Sequence, residues 1–536
     1  MSDEYEQKTA QTLSDLLERK AEKLGDSTLF HFEDTEYSYD QINQNANAIA
    51  SHLQAFGVKP GDVVGIFMYN RPEYIYTIFG LSKIGAVAAP IDTRFSGDAL
   101  VHIFSETDAK VVFLDERTKD SYEAVRDSLP NVGLEVFAGS GDIDGSYREF
   151  EQLLTHNDIH EPNVEVAGAD TCSIIYIQRY ERKYPQGVML PHYSYINTGT
   201  ECTQNLFSLG SEDCIFTTLP FYSSYPIQMG LTGAMIAEAE FSFARQFQRE
   251  TFWNLVRAYD ATMILYLGRM LSVLHNQERK SKDNENPAKY AFGYGFGVET
   301  DESMIAEFEE RFDITVIQGY GITPTATVAT SNRPESRKLG SVGTPISYAD
   351  VKIVDEDDWF VPTGETGEIV VRSERPNTMM SGFFNDSTLL ENVCRNQWIH
   401  TNDIGYKDED GFVHFVGRKS DTIELGRVAG RISSLEIESI IDTHPSVSES
   451  VVLGVLDQSG EEAIKAVVAT ENDDLSPIDI SAFCEQRLDY HKLPRYIEIR
   501  GELPRSSTGK IRKEALKQTN ITEGIWDRER GYSLSQ

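Results

Sequence analysis

Several short stretches of the chain hold residue types that can grip an anion or carry a proton. The run Arg179-Tyr180-Glu181-Arg182-Lys183 sets three cations against one acid. Guanidinium and ammonium groups at that density can hold phosphate oxygens through charge-assisted hydrogen bonds, and they equally suit a solvated loop. Asp403 closes Thr401-Asn402-Asp403. A carboxylate there offers two acceptor oxygens, or it caps a turn. Arg418 stands in Gly417-Arg418-Lys419-Ser420-Asp421, and Lys510 follows Thr508-Gly509. A lysine beside a turn-forming glycine is a mobile point charge, and taken alone it is also an ordinary surface residue. Tyr320-Gly321-Ile322-Thr323 joins a ring, a permissive glycine and a hydroxyl, and Tyr320 also suits a packed core. Cys172, Cys202, Cys214, Cys394 and Cys484 are odd in number and include no C-x-x-C pair. They imply neither a disulfide framework nor a zinc site, but buried free thiols in a reducing compartment.

Read in chain order, the motifs are Tyr320-Gly321-Ile322-Thr323, Gly364-Glu365-Thr366-Gly367-Glu368, the run 398–403, Asp408-Glu409-Asp410-Gly411, the run 417–421 and the run 503–512. Together, in this order and spacing, they resemble the adenylate-forming family of acyl-CoA synthetases, luciferases and adenylation domains. The resemblance covers nearly the whole chain. It implies an α/β fold: a large N-terminal domain of layered sheets and helices over 1–416, a hinge at 417–421 that turns about Asp421, and a small mobile α+β domain over 422–536 carrying Lys510. It implies that a carboxylate attacks the α-phosphate of ATP, and that a thiol, usually of CoA, then displaces AMP. By the same resemblance Asp403 accepts from both ribose hydroxyls and Arg418 also contacts the ribose. Tyr320, beside Gly321, stacks on adenine, Thr323 contacts the α-phosphate, and Lys510 brings its charge to the reacting oxygens.

Two departures from the family pattern stand out. The family's phosphate loop reads T-S-G-T-T-G-x-P-K-G, and its glycines let backbone N–H groups cradle phosphate. Here the interval 177–187 keeps only Pro185 and Gly187 of that pattern, and Arg179, Arg182 and Lys183 stand in its place. The family's Y-G-x-T-E ends in a glutamate that holds Mg²⁺; here Pro324 occupies that position. Asn402 replaces the usual glycine of T-G-D, and 425–431 looks about two residues longer than usual. Three readings stay open. The chain is an ATP-dependent ligase that joins an apolar fatty or aryl acid to CoA. Or it is an impaired homologue that binds nucleotide, acyl-CoA or a partner. Or it performs only the thioester-forming half of the chemistry. The segments 221–230 and 294–297, with Phe221, Tyr222, Tyr225, Tyr294 and Gly295, form the expected acyl pocket and favour an apolar acid. No carrier-protein segment follows the 503–512 motif, so the free thiol of CoA is the expected acceptor. ATP, Mg²⁺ and CoA are the expected co-reactants, and a homodimer is a further expected partner.

These residues need a scaffold, and the pattern supplies one. Ile42, Ala46, Ile49, Leu53 and Phe56 recur at helical spacing between Asp40, a candidate N-cap, and Gly57. The run 63–68 reads as a buried strand, 72–84 as a helix with Pro72 in its first turn, and 87–91 and 110–114 as strands. Such alternation predicts a layered fold with parallel sheet. After 417–421 the pattern restarts as helix (434–441), strands (450–456, 464–470), helix (477–488) and strand (496–500). The chain has 536 residues, 40% of them hydrophobic, enough for a large core and more than one domain. Its 49 basic against 85 acidic side chains give a formal charge of −36. Such a surface repels nucleic acid and anionic membranes and suits a halophilic source. The start lacks a signal-peptide pattern and no apolar run reaches a membrane span, so a cytoplasmic location is expected.

Overall fold

The computed structural model describes residues 10–129, 131–139, 145–155, 161–179, 182–295, 302–419, 422–424, 431–456, 462–472, 474–505, 511, 513–517, 525–530 and 532–533. Asp421 and Lys510 lie outside the described residues. The chain splits into two compact units, one of residues 1–294, 305–351 and 370–400, the other of 295–304, 352–369 and 401–536. The second unit therefore takes in chain before residue 417. For 401–416 the reason is a hairpin: strand Trp398–Lys407 pairs antiparallel with Val413–Arg418 from Asp403 onward.

Among the described residues the larger unit carries two mixed sheets. One runs in the order Gly382–Phe383, Gln186–Pro191, Thr171–Ile177, Val87–Pro90, Val63–Phe67, Val111–Asp115, Leu134–Ala138, Arg148–Glu149. Its centre is parallel, as the alternation required, and the strands at 63–67 and 111–115 are buried at every position. The other sheet has a parallel centre of Thr315–Tyr320, Tyr290–Tyr294, Met263–Leu267, Cys214–Thr217, Glu240–Phe243 and Thr28–Phe32, with antiparallel edges.

Helix Tyr39–Phe56 forms where the spacing placed it, and Gly57 ends it in the left-handed conformation. Its N-cap is Ser38, whose hydroxyl accepts from the Gln41 amide at 3.3 Å; Asp40 falls inside the first turn, where its charge meets the helix dipole. Helix Pro72–Lys83 carries its proline in the first turn. In the smaller unit, strands Glu449–Leu456, Glu462–Ala469 and Tyr496–Arg500 form a sheet with helices Ser434–Asp442 and Pro477–Glu485. Their core gathers Ile437, Ile441, Val452, Ala466, Ile480 and Ile497. No helix among the described residues is long and apolar enough to cross a membrane.

Candidate active site

Within the larger unit, the expected site residues follow the C-terminal ends of parallel strands, where open α/β sheets bind ligands. Tyr320 ends Thr315–Tyr320, Tyr294 ends Tyr290–Tyr294, and Phe221 and Tyr222 follow Cys214–Thr217. Asn70, just past Val63–Phe67, fastens one sheet to the other. Its amide donates to the Leu219 and Ala244 carbonyls at 2.8 and 3.0 Å and accepts from the Phe221 amide at 2.8 Å. Sequence reasoning missed Asn70, because every partner is distant in the chain.

The segment 321–328 folds back on itself. The Ala329 amide donates to the Tyr320 carbonyl at 2.8 Å, and the Thr325 hydroxyl accepts from the Ile322 amide at 3.0 Å. Tyr320 is buried, Thr323 is half-buried, and the Pro324 carbonyl accepts from the Met380 amide. A Cβ on Gly321 would lie 1.9 Å from the Thr327 carbonyl oxygen, so only glycine permits this turn. Ala326 and Thr327 are both left-handed, at φ 53° and 81°.

The cations of the run 179–183 have partners inside the protein. The Arg182 guanidinium lies 3.3 Å from Asp386, and Lys183 sits over the Tyr184 ring, 3.9 Å from Asp98. Tyr184 stacks on His102, whose Nε2 meets the Pro185 carbonyl at 3.2 Å. Tyr180 and Glu181 fall outside the described residues. Gly187 is a packing glycine: its Cβ would come within 2.6 Å of Ile174 and 3.2 Å of Phe384.

Of the expected acyl-pocket residues, Tyr225 and Tyr294 pack on each other, while Phe221 and Tyr222 have other neighbours. Phe221 packs on Tyr74 and Phe243. Tyr222 faces Asp92 and Arg94, and burial pushes its phenol pKa up. Tyr225 and Tyr294 meet edge to face at 4.8 Å; the Tyr225 hydroxyl donates to the Phe292 carbonyl and that of Tyr294 reaches the Met229 sulfur. Gly295 adjoins Tyr294 in the chain and belongs to the other unit's residues.

His192 opens the helix His192–Thr200 with 1% of its surface exposed. Neither ring nitrogen has a hydrogen-bond partner among the described residues. Burial pushes its pKa down to about 4, against a smaller opposing pull from the Asp170 carboxylate. The unfolded chain binds this proton near pH 6.5 and the folded one near 4, so the unfolded state holds more protons between those values. Stability is expected to fall as pH drops through that window, by about 3 kcal/mol from this group. Unfolding midpoints from pH 4 to 7 check it: His192→Phe should flatten the acid limb, and an unchanged slope would assign the loss elsewhere.

In the smaller unit, Asp403 and Arg418 are register partners across the hairpin, and the guanidinium lies 2.9 Å from the carboxylate. Asp403 is 1% exposed. Its amide donates to the Thr401 hydroxyl at 3.1 Å, which itself donates to the Ile369 carbonyl. Asn402 is left-handed at φ 57°. That explains the departure from T-G-D: after glycine, asparagine adopts this conformation most readily. Its amide donates to Glu368 at 3.0 Å, and Lys419 stands 3.6 Å from the same carboxylate. Glu368 lay in a recognised motif without a role; it holds the turn before Asp403.

Known proteins resemble this chain over most of its length. The family model described as AMP-binding enzyme matches residues 17–176 and 184–384, and that of the AMP-binding enzyme C-terminal domain matches 436–510. The first match breaks across the altered loop. A crotonobetaine/carnitine–CoA ligase of Escherichia coli O157:H7 is 30% identical over 492 residues, 90% of this chain and 93% of that protein. Its counterpart in Salmonella typhimurium strain LT2 is 28% identical over 520 residues, 95% and 99% of the two chains. In fold, the chain matches an anthranilate CoA ligase in complex with anthranoyl-AMP, with TM-score 0.81, 23% identity and coverage of 95% and 96%. An o-succinylbenzoate CoA synthetase from Bacillus subtilis, in complex with its acyl-adenylate, gives TM-score 0.80, 23% identity and coverage of 94% and 97%.

Proposed function

Because the chain belongs to the AMP-binding enzyme family, we propose that it is an ATP-dependent acid–CoA ligase acting on an apolar carboxylate. The observation that carries this reading is the buried Asp403, held by Arg418 and a dedicated turn, in a chain whose family match spans both domains. In the first step a carboxylate oxygen bonds to the α-phosphorus and the bond to the bridging oxygen breaks, releasing pyrophosphate. In the second, the CoA sulfur bonds to the acyl carbon and AMP leaves. Asp403 accepts from the ribose hydroxyls, the 320–323 backbone seats the base and α-phosphate, and Lys510 neutralises charge as it develops.

Mg²⁺ enters as part of the ATP substrate. A protein-held Mg²⁺ wants at least one carboxylate, and 321–327 offers only hydroxyls and carbonyls, with the Thr325 hydroxyl already spent on Ile322. Asp421 keeps the hinge role that the resemblance gives it. Tyr225 presents a buried ring and Tyr294 a half-buried one to the acyl group, and Arg179, Arg182 and Lys183 stand at the ATP phosphates in this reading.

Pyrophosphate exchange with ATP, Mg²⁺ and a panel of apolar acids tests the first step, and thioester formation on adding CoA tests the second. Exchange at family-like rates is expected. Lys510→Ala should slow adenylation about 100-fold or more while nucleotide affinity changes far less. No exchange with any acid would return the chain to the impaired reading, and equal loss of binding and turnover would remove the role given to Lys510.

A further inference from the structure

A buried line of polar side chains runs beneath the turn that follows Tyr320. Gln228 is fully buried, and Ser194, Ser224 and Thr327 are each at most 5% exposed. The Thr327 hydroxyl donates to the Gln228 side-chain carbonyl, which can only accept. Thr327 therefore accepts from the Ser224 hydroxyl at 3.1 Å. At the other end, the Gln228 amide makes a long 3.5 Å contact to the Ser194 hydroxyl, which donates to the Pro191 carbonyl at 2.7 Å. The direction of donation is fixed along the whole line.

The line joins three segments that are far apart in sequence: the loop after Cys214–Thr217, the turn 321–328, and the end of strand Gln186–Pro191. It also holds a costly conformation. Thr327 is β-branched and left-handed at φ 81°, a pairing that L residues avoid unless their surroundings enforce it. Thr198 braces the neighbouring residue, its hydroxyl donating to the Ala326 carbonyl at 3.2 Å. Gln228 lies in a six-residue π-helical stretch, Pro226–Leu231, a distortion frequent at functional sites. Its side chain is an isolated amide in an otherwise apolar run.

We propose that Gln228 is a positioning residue for adenylation. Through Thr327 it fixes the backbone of 321–328, and so the placement of Gly321, Ile322 and Thr323. This rests on the ligase reading above. Gln228 touches no reacting atom. It acts by making the left-handed turn the one arrangement in which no buried hydroxyl is left unpaired.

Three variants test it: Gln228→Met, Thr327→Gly and the double variant. Gln228→Met leaves a strained threonine without its anchor. The adenylation kcat should fall about 10-fold or more, with the KM for CoA unchanged. Thr327→Gly removes the reason for the anchor, because glycine takes φ 81° freely; it should lose less, and the double variant should lose no more than Thr327→Gly. Additive losses would overturn the proposal, as would a Gln228→Met variant that shifts only the unfolding midpoint. Amide hydrogen exchange over 322–328 gives a readout independent of activity. It should quicken in Gln228→Met while the strand Val63–Phe67 stays protected, and unchanged exchange there would overturn the proposal. A wild-type protein with no pyrophosphate exchange would overturn the ligase reading instead, and amide exchange alone would then decide the role of Gln228.

Discussion

A Gly321→Ala variant is expected to lose adenylate formation by about 100-fold or more, because the segment it disrupts is the one proposed to seat the nucleotide. The added methyl would lie 1.9 Å from the Thr327 carbonyl oxygen, 2.5 Å from its carbon and 2.8 Å from the Val328 Cα. All three are backbone atoms, so no side chain can swing aside. Relief requires moving the turn, and moving the turn disturbs the Ile322–Thr325 hydrogen bonds together with the line through Thr327 and Gln228. Misplacement by an ångström is enough for a loss of this size. Folding should also weaken by about 2–4 kcal/mol, as for other overpacked or strained sites. Gly501→Ala serves as the control. A Cβ there meets nothing within 4 Å, and its backbone is not left-handed. Pyrophosphate exchange and the unfolding midpoint read both variants. Near wild-type exchange in Gly321→Ala would show that the turn is free to move without cost to the chemistry.

Asp403→Ala is expected to weaken AMP binding about 100-fold. Two hydrogen bonds from ribose hydroxyls to one ionised acceptor are together worth about 3 kcal/mol. Folding should suffer less. The Arg418 side chain is 44% exposed, so losing its partner returns the guanidinium to water and leaves no stranded charge. Titration with AMP and with an analogue lacking both ribose hydroxyls separates the causes. The variant should discriminate poorly between them, whereas the wild type should favour AMP strongly. If the variant lost affinity equally for both, Asp403 would be supporting the fold and not the ribose.

The strength with which each feature could be read from sequence follows the range of the interaction behind it. The helix Tyr39–Phe56 and the buried strands Val63–Phe67 and Val111–Asp115 were legible because burial imposes a period on neighbouring residues. The cap was misplaced by two residues. Serine and aspartate both cap well, and Ser38 is the one whose hydroxyl meets the Gln41 amide. The chain's departures from its family were also visible, but their meaning was not. Asn402 looked like a loss of glycine, and its φ of 57° makes it a substitute for one. Arg182 reads as a phosphate ligand or as part of a solvated loop, and the fold adds a partner for it, Asp386 at 3.3 Å.

By itself the sequence determined the family and the layered α/β class, since ordered motifs and hydrophobic periods are properties of the chain as written, and it singled out Asp403, Arg418 and Tyr320 as candidates. The tertiary structure alone decided that Gly321 cannot bear a side chain, that Gly187 is a packing residue, and that Gln228 anchors Thr327 from 99 residues away. Those facts depend on backbone meeting backbone and on buried donors finding distant acceptors, and neither leaves a spacing that a single sequence displays.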